Sequence, residues 1–271
     1  MAKGVGEASG PLGRHILRQE TSVSETLSPA RSVEDAAASS ALVTSVPPGK
    51  GTEGHRARMR QRLLTHGPEA LADYEMLEML LFLALPRRDT KPLAKDLLNH
   101  FGSFAAVISA SPRELTTIKG VGEAGAAALA LVRAASLRLL RADAVAQPVL
   151  NNWERLIAYL NASLAREKNE QFRVLFLDNR NQLIADEILA HGTVNHAPVY
   201  PREVVKRALE LHATALIVVH NHPSGDPTPS AEDIRMTREL REAGRLLSLD
   251  LHDHVIIGRH GWSSFRKQGL L

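Results

Sequence analysis

Apolar residues recur at spacings of three and four through Tyr74, Leu77, Leu80 and Leu81, and again through Leu93, Leu97 and Leu98. That period predicts helices from about His55 to Leu140. Pro86 and Pro92 interrupt the run, and Gly102 and Pro112 mark further turns, so residues 51–145 form a small all-helical module. Gln147-Pro148 closes it as the end of a linker. After a helix-like stretch over Asn152–Leu164 the period changes: Phe172–Leu177 and Leu183–Leu189 alternate like strands, joined by the turn-rich Asp178-Asn-Arg-Asn181. Glu203–His212 predicts a helix, and Ala215–Val219 a buried, β-branched strand. Ala231–Leu247 predicts a second helix and His254–Ile257 a last strand. A hairpin-like pair and at least one strand–helix–strand crossover make residues 149–271 an α/β or α+β domain.

Residues 1–50 carry Gly, Ser, Ala and Pro with few large apolar side chains, too little to offset the entropy of ordering. They are expected to form a disordered tail. Gly49-Lys50 lacks the first glycine and the following Ser/Thr of a phosphate-binding loop.

Composition removes whole classes of chemistry. With 0 cysteines there can be no disulfide, thiolate zinc site, iron–sulfur cluster or cysteine nucleophile, so a metal would need His and carboxylate ligands. The 4% aromatic content argues against a base-stacking surface, and 33 Lys and Arg nearly balance 30 Asp and Glu. No signal-peptide core is present, and the longest apolar run, Met79–Leu85, falls far short of the roughly 18 residues that suggest a membrane span. The expectation is a soluble cytoplasmic protein with no membrane partner.

The chemistry concentrates in His220-Asn-His-Pro-Ser-Gly-Asp-Pro-Thr-Pro-Ser230-Ala-Glu-Asp233. Residues two apart in an extended chain face the same side, so His220 and His222 can reach one ion. Pro223, Gly225, Pro227 and Pro229 then turn the chain, and Asp233, in the first turn of the next helix, can return a carboxylate to the same point. Three protein ligands of this type suit zinc with a fourth position open for water, the arrangement of a catalytic site. Ser230 and Asp233 equally suit a helix start without any chemistry, as N-cap and as an acid favoured by the helix dipole.

The stretch resembles the JAMM (MPN-plus) signature: His-x-His, seven residues, Ser, two residues, Asp. Pro-Ser-Gly after the second His is similar to the RadC-like bacterial branch. The likeness extends to Glu187 with Gly192-Thr193, Tyr200-Pro-Arg-Glu203, Asp253-His254-Val-Ile-Ile-Gly258 and Ser264-Phe265, covering essentially the chain from His55 onward. It implies an MPN-type fold, a mixed sheet flanked by helices. It also implies Zn2+ on His220, His222 and Asp233, with Glu187 as the carboxylate that takes a proton from the attacking water and Ser230 as hydrogen-bond donor to the developing oxyanion. Asp186 and Glu187 are neighbours on one strand, so alternation lets only one of them face the site. His252, Asp253 and His254 form a second cluster whose histidines read as structural flanks of the last strand.

Leu115-Thr-Thr-Ile118-Lys-Gly120-Val-Gly122 before an Ala-rich helix looks like a helix-hairpin-helix element, which can offer backbone N–H groups to a DNA phosphate. Gly125 stands where a lysine often follows, which weakens the DNA case; the basic run His55–Arg62 is a candidate contact or a solvated helix face. Two function classes result. One is a zinc-dependent hydrolase of a peptide or isopeptide bond with a peptide or protein substrate. The other is a DNA-associated repair or recombination factor that binds DNA through residues 51–145, with a secondary or inactive metal site. A zinc base deaminase is excluded, because its Pro-Cys-x-x-Cys element needs cysteine.

Overall fold

The computed structural model describes residues 52–192 and 199–271, and the expected tail over 1–50 lies outside them. The first helices are α1 (Thr52–His66), α2 (Asp73–Ala84), α3 (Lys91–Phe101), α4 (Phe104–Ser109), α5 (Pro112–Thr117) and α6 (Gly122–Val145). Pro92 and Pro112 stand in the first turns of α3 and α5, where a missing N–H costs nothing, so they begin helices instead of breaking them. Gly102 ends α3 in the left-handed conformation (φ 87°), and Ser103 caps α4 by accepting a hydrogen bond from the Ala106 N–H. Leu77, Leu81, Leu93, Leu97, Leu115 and Leu129 meet in one core, each close to or fully buried and contributing on the order of 1.5–3 kcal/mol by burial.

A 3-10 turn (Val149–Asn152) and α7 (Trp153–Leu164) lead into five strands. These are β1 (Gln171–Leu177), β2 (Leu183–His191), β3 (Ala215–Asn221), β4 (Asp250–Gly258) and β5 (Gly261–Ser264), with α8 (Pro201–Glu210) and α9 (Ala231–Arg245) between β2, β3 and β4. The sheet order is β2-β1-β3-β4-β5. β1 pairs antiparallel with β2 and β3, β4 pairs antiparallel with β5, and β3 runs parallel to β4 through the crossover helix α9. This mixed sheet flanked by helices is the architecture that the MPN-type resemblance implies.

Alternation sorts the side chains into two cores. Leu175, Leu177, Ile217 and Val219 face α7 and the end of α6; Phe172, Val174, Phe176, Leu216 and Val218 face α8 and α9. β3 is central, and all seven of its residues are buried. The hairpin turn at Asp178–Asn181 is held by the Asp178 carboxylate, which accepts from the Arg180 and Gln182 N–H groups at 2.8 Å each, with Asn181 at φ 59°. β1, β2 and β3 run one or two residues beyond their predicted spans, and the larger differences lie in β4 and β5. β4 begins at Asp250, four residues before His254, because its polar first half pairs with β3 while lacking an apolar alternation. β5 was not predicted, since Gly-Trp-Ser-Ser carries no strand period.

Candidate metal centre

His220 lies on β3, on the face shared with Leu216 and Val218, and its side chain is 1% exposed. His222 stands one residue past the strand, yet its N–H donates to the Ile257 carbonyl of β4 at 2.9 Å, which continues the ladder and keeps its ring beside that of His220. The loop that follows is pinned from several sides. Gly225 (φ 95°) returns its N–H to the His222 carbonyl, the Thr228 N–H and hydroxyl donate to the Asp226 carboxylate at 2.9 and 2.7 Å, and the Ser263 hydroxyl of β5 donates to the Pro227 carbonyl at 2.7 Å. Gly258 permits this packing: a Cβ there would lie 2.4 Å from the Gly225 carbonyl oxygen.

The loop delivers Asp233 at the third position of α9. Ser230 is the N-cap: its hydroxyl accepts from the Asp233 N–H at 3.1 Å and donates to the Asp233 carboxylate at 2.6 Å, while the Ser230 N–H donates to the same oxygen at 2.8 Å. The cap thereby sets the carboxylate's direction. His220 Nε2 and His222 Nε2 are 3.0 Å apart, and the Asp233 oxygens lie 3.3 Å from the first and 3.5 Å from the second. Ligands about 2.0–2.1 Å from a tetrahedral ion stand about 3.3 Å from one another, so these pairwise separations are compatible with a zinc-sized cation. Among the described residues this is the group of His and carboxylate side chains whose ligand atoms converge on one point.

Electrostatics agree with that spacing. Burial pushes His220 down to about 4, against the pull of Asp233. His222 is raised by its hydrogen bond to Asp233. Burial works against the Asp233 charge, but His222, His220 and Ser230 together hold its carboxyl well below the usual range. His222 Nδ1 lies 2.8 Å from the Asp226 carbonyl, a pure acceptor, so Nδ1 carries a proton and Nε2 is the nitrogen turned to the centre. His222 and Asp233 are 17% and 14% exposed where His220 is sealed, which leaves one side of the triad open.

Glu187 is not part of that cluster. Its register partners, Val174 on β1 and then Val218 on β3, place it on the same sheet face as His220. Two strands across and two residues along amount to a backbone separation of about 12 Å. The Arg207 guanidinium of α8 grips both its oxygens at 2.8 and 2.6 Å and holds its carboxyl below the usual range. Asp186 faces the opposite side and is no surface acid: 4% exposed, it accepts from the Tyr159 hydroxyl at 2.7 Å and pairs with Arg173 at 3.3 Å.

Residues 150–270 match the model of the RadC-like JAB domain, and residues 54–127 match that of the UPF0758 N-terminal family. A UPF0758 protein of Rhodobacter capsulatus is 58% identical over 213 residues, which are 79% of this chain and 100% of that protein. The chain belongs to the RadC-like UPF0758 family. Within this RadC-like domain the resemblance motifs acquire physical roles. The Asp253 carboxylate accepts from the Ser264 hydroxyl and from the His254 and Arg266 N–H groups, tying β4 to the C-terminal turn. Thr193 lies outside the described residues.

Neither histidine flanks the last strand, since both stand within β4; His252 bonds Asn181 at 2.6 Å, and His254 turns toward the triad. It sits within β4, fully buried, 2.7 Å from His220 Nδ1. Thr237 joins it at 2.6 Å, and no sequence spacing pointed to either contact. In the UPF0758 N-terminal region much of the basic run is engaged internally. Arg56 bonds the Pro86 and Arg88 carbonyls, Arg62 pairs with Glu75, and His55 meets Glu78 at 2.9 Å, leaving Arg58 and Arg60 projecting from α1. Gly120 has φ 103° and its carbonyl accepts from Arg88 at 2.8 Å. Gly125 is buried against Val121 and Leu81, so it packs the hairpin where a lysine would have projected charge. No helix among the described residues is long and apolar enough to cross a membrane.

Proposed function

We propose that this RadC-like domain is a zinc-dependent hydrolase that cleaves an amide, of the peptide or isopeptide type. The observation that carries the reading is the convergence of His220 Nε2, His222 Nε2 and the Asp233 carboxylate, one oxygen near each imidazole, on a rim open to solvent. Two imidazole nitrogens and one carboxylate are the donor set of a catalytic zinc, with one position left for solvent or substrate. When bound, zinc would supply a Lewis acid that polarises a carbonyl and lowers the pKa of water toward ~7.

The protein's own residues do the rest. Asp233 contributes the negative charge, and its cap with Ser230 fixes its angle. Glu187 is the proton carrier. Arg207 keeps it ionised and points it along the α8/α9 face, and a fork from one side leaves each oxygen a further lone pair for a water proton. A second proton-holding group would come from Ser230, whose exposed hydroxyl can turn from Asp233 toward a substrate oxygen. Metal analysis tests the first step: purified protein should hold about one zinc per chain, and His220→Ala or His222→Ala should remove it. Full occupancy in both variants refutes the site. Activity profiling of zinc-loaded protein on peptide libraries beside DNA substrates then tests the bond class; turnover of DNA alone would overturn the amide reading.

A further inference from the structure

Behind the three candidate ligands runs a buried file of hydrogen bonds. The Asp233 carbonyl is 2.5 Å from the Thr237 hydroxyl, Thr237 Oγ1 is 2.6 Å from His254 Nδ1, and His254 Nε2 is 2.7 Å from His220 Nδ1. Thr237 and His254 are 1% and 0% exposed, so water cannot substitute for either of them. The proton positions then follow by counting. A carbonyl only accepts, so the single Thr237 proton goes to Asp233, the residue four back on α9. Were it turned to His254 instead, two oxygens with lone pairs would face each other at 2.5 Å. Thr237 must therefore accept, and His254 Nδ1 carries the proton. A second proton on His254 would leave a cation without a carboxylate partner in a sealed site, so its Nε2 accepts and His220 Nδ1 donates. The His220 Nε2 lone pair then faces His222 and Asp233.

We infer that Thr237 and His254 are positioning residues that lock His220 in the Nδ1–H tautomer, with Nε2 presented as a metal ligand; the inference rests on the metal reading of the triad. Two rings hold the relay in place. Phe265 stacks on His254 at 4.4 Å and 23°, and Phe172 meets it edge-on at 6.3 Å, so the imidazole cannot turn over. The file starts on the backbone of one ligand, Asp233, and ends on the ring of another, His220. Its direction is set by an acceptor that cannot donate. His222 is oriented by a separate bond from Nδ1 to the Asp226 carbonyl, so the two imidazoles are fixed by independent devices.

The test is long-range nitrogen–proton NMR of the imidazoles in the full chain, with zinc titrations beside it. His220 and His254 should both carry the proton on Nδ1, with and without zinc. Thr237→Val removes the acceptor at constant shape and should weaken zinc binding by about tenfold, Thr237→Ser should restore it, and His254→Phe, which keeps the stack on Phe265, should cost about 10–100-fold. Nε2–H on His220, or wild-type zinc affinity in both Thr237→Val and His254→Phe, overturns the lock. A wild-type chain that takes up no zinc yet shows Nδ1–H on both rings refutes the metal reading and upholds the lock.

Discussion

Asp186 and Asp233 are both withdrawn from water against one sheet, on opposite faces, and they are neutralised in different ways. Asp186 meets a permanent cation, Arg173, with the Tyr159 hydroxyl beside it and Arg141 at 4.0 Å. Asp233 meets two imidazoles whose Nδ1 protons are directed elsewhere. The charge of the first carboxylate is balanced by a cation within the protein, with these contacts gathered on its Oδ2. The second shares its surroundings with two imidazole nitrogens, 3.3 and 3.5 Å from its oxygens, in a group compatible with a metal site. Burial of an acid alone does not mark a functional site; the identity and commitment of its partners do.

The largest expected effect lies on the closed side. Asp186→Ala leaves Arg173 buried without a counter-charge and should cost about 3–5 kcal/mol in urea unfolding, with zinc stoichiometry of the folded fraction unchanged. A loss below about 1 kcal/mol would erase the contrast between the faces. On the open side, Glu187→Gln should keep fold and zinc while lowering any hydrolytic rate by about 10²–10⁴. Equal loss of zinc in that variant would make Glu187 a ligand. Gly258→Ala forces a methyl into the Gly225 carbonyl and Pro227. It should cost about 1–3 kcal/mol by overpacking and weaken zinc by moving the His222 loop, both readable by calorimetry.

The smallest effect concerns Glu114, which Lys168 holds down to about 2 by a hydrogen bond, with Ser111 assisting. Its folded value lies below the ordinary 4.5, so its contribution is present above pH ~4.5 and is lost as pH falls toward ~2. Because Lys168 is 78% exposed, Glu114→Gln should cost less than about 1 kcal/mol at neutral pH and flatten the acid limb of stability over that window.

The parts of the site carried by local chain were legible beforehand. His220, His222 and Asp233 are joined by one turn-rich loop, and the parity that separates Asp186 from Glu187 is a property of any strand. His254 reads as a strand flank in the sequence because its contact depends on the parallel register of β3 and β4, which sets Val218 beside His254 across a whole crossover helix. Thr237 reads as an ordinary helix residue until α9 is packed on that face. The pairing of Asp186 with Tyr159 and Arg173 was hidden for the same reason, since α7 and β1 meet β2 only in the folded chain. β5 escaped notice because its four residues are recruited by β4 and by the loop it pins.

Helix α6 begins at the Gly120–Gly122 hairpin, and its last turns, at Leu140 and Ala144, belong to the sheet's core. Midway, Arg133 bonds Glu167 at 2.6 Å and the Ser109 carbonyl at 3.3 Å. Twenty-four helical residues span about 36 Å without a joint. The helix therefore acts as a rigid strut that sets the glycine hairpin at one fixed distance from the sheet's core.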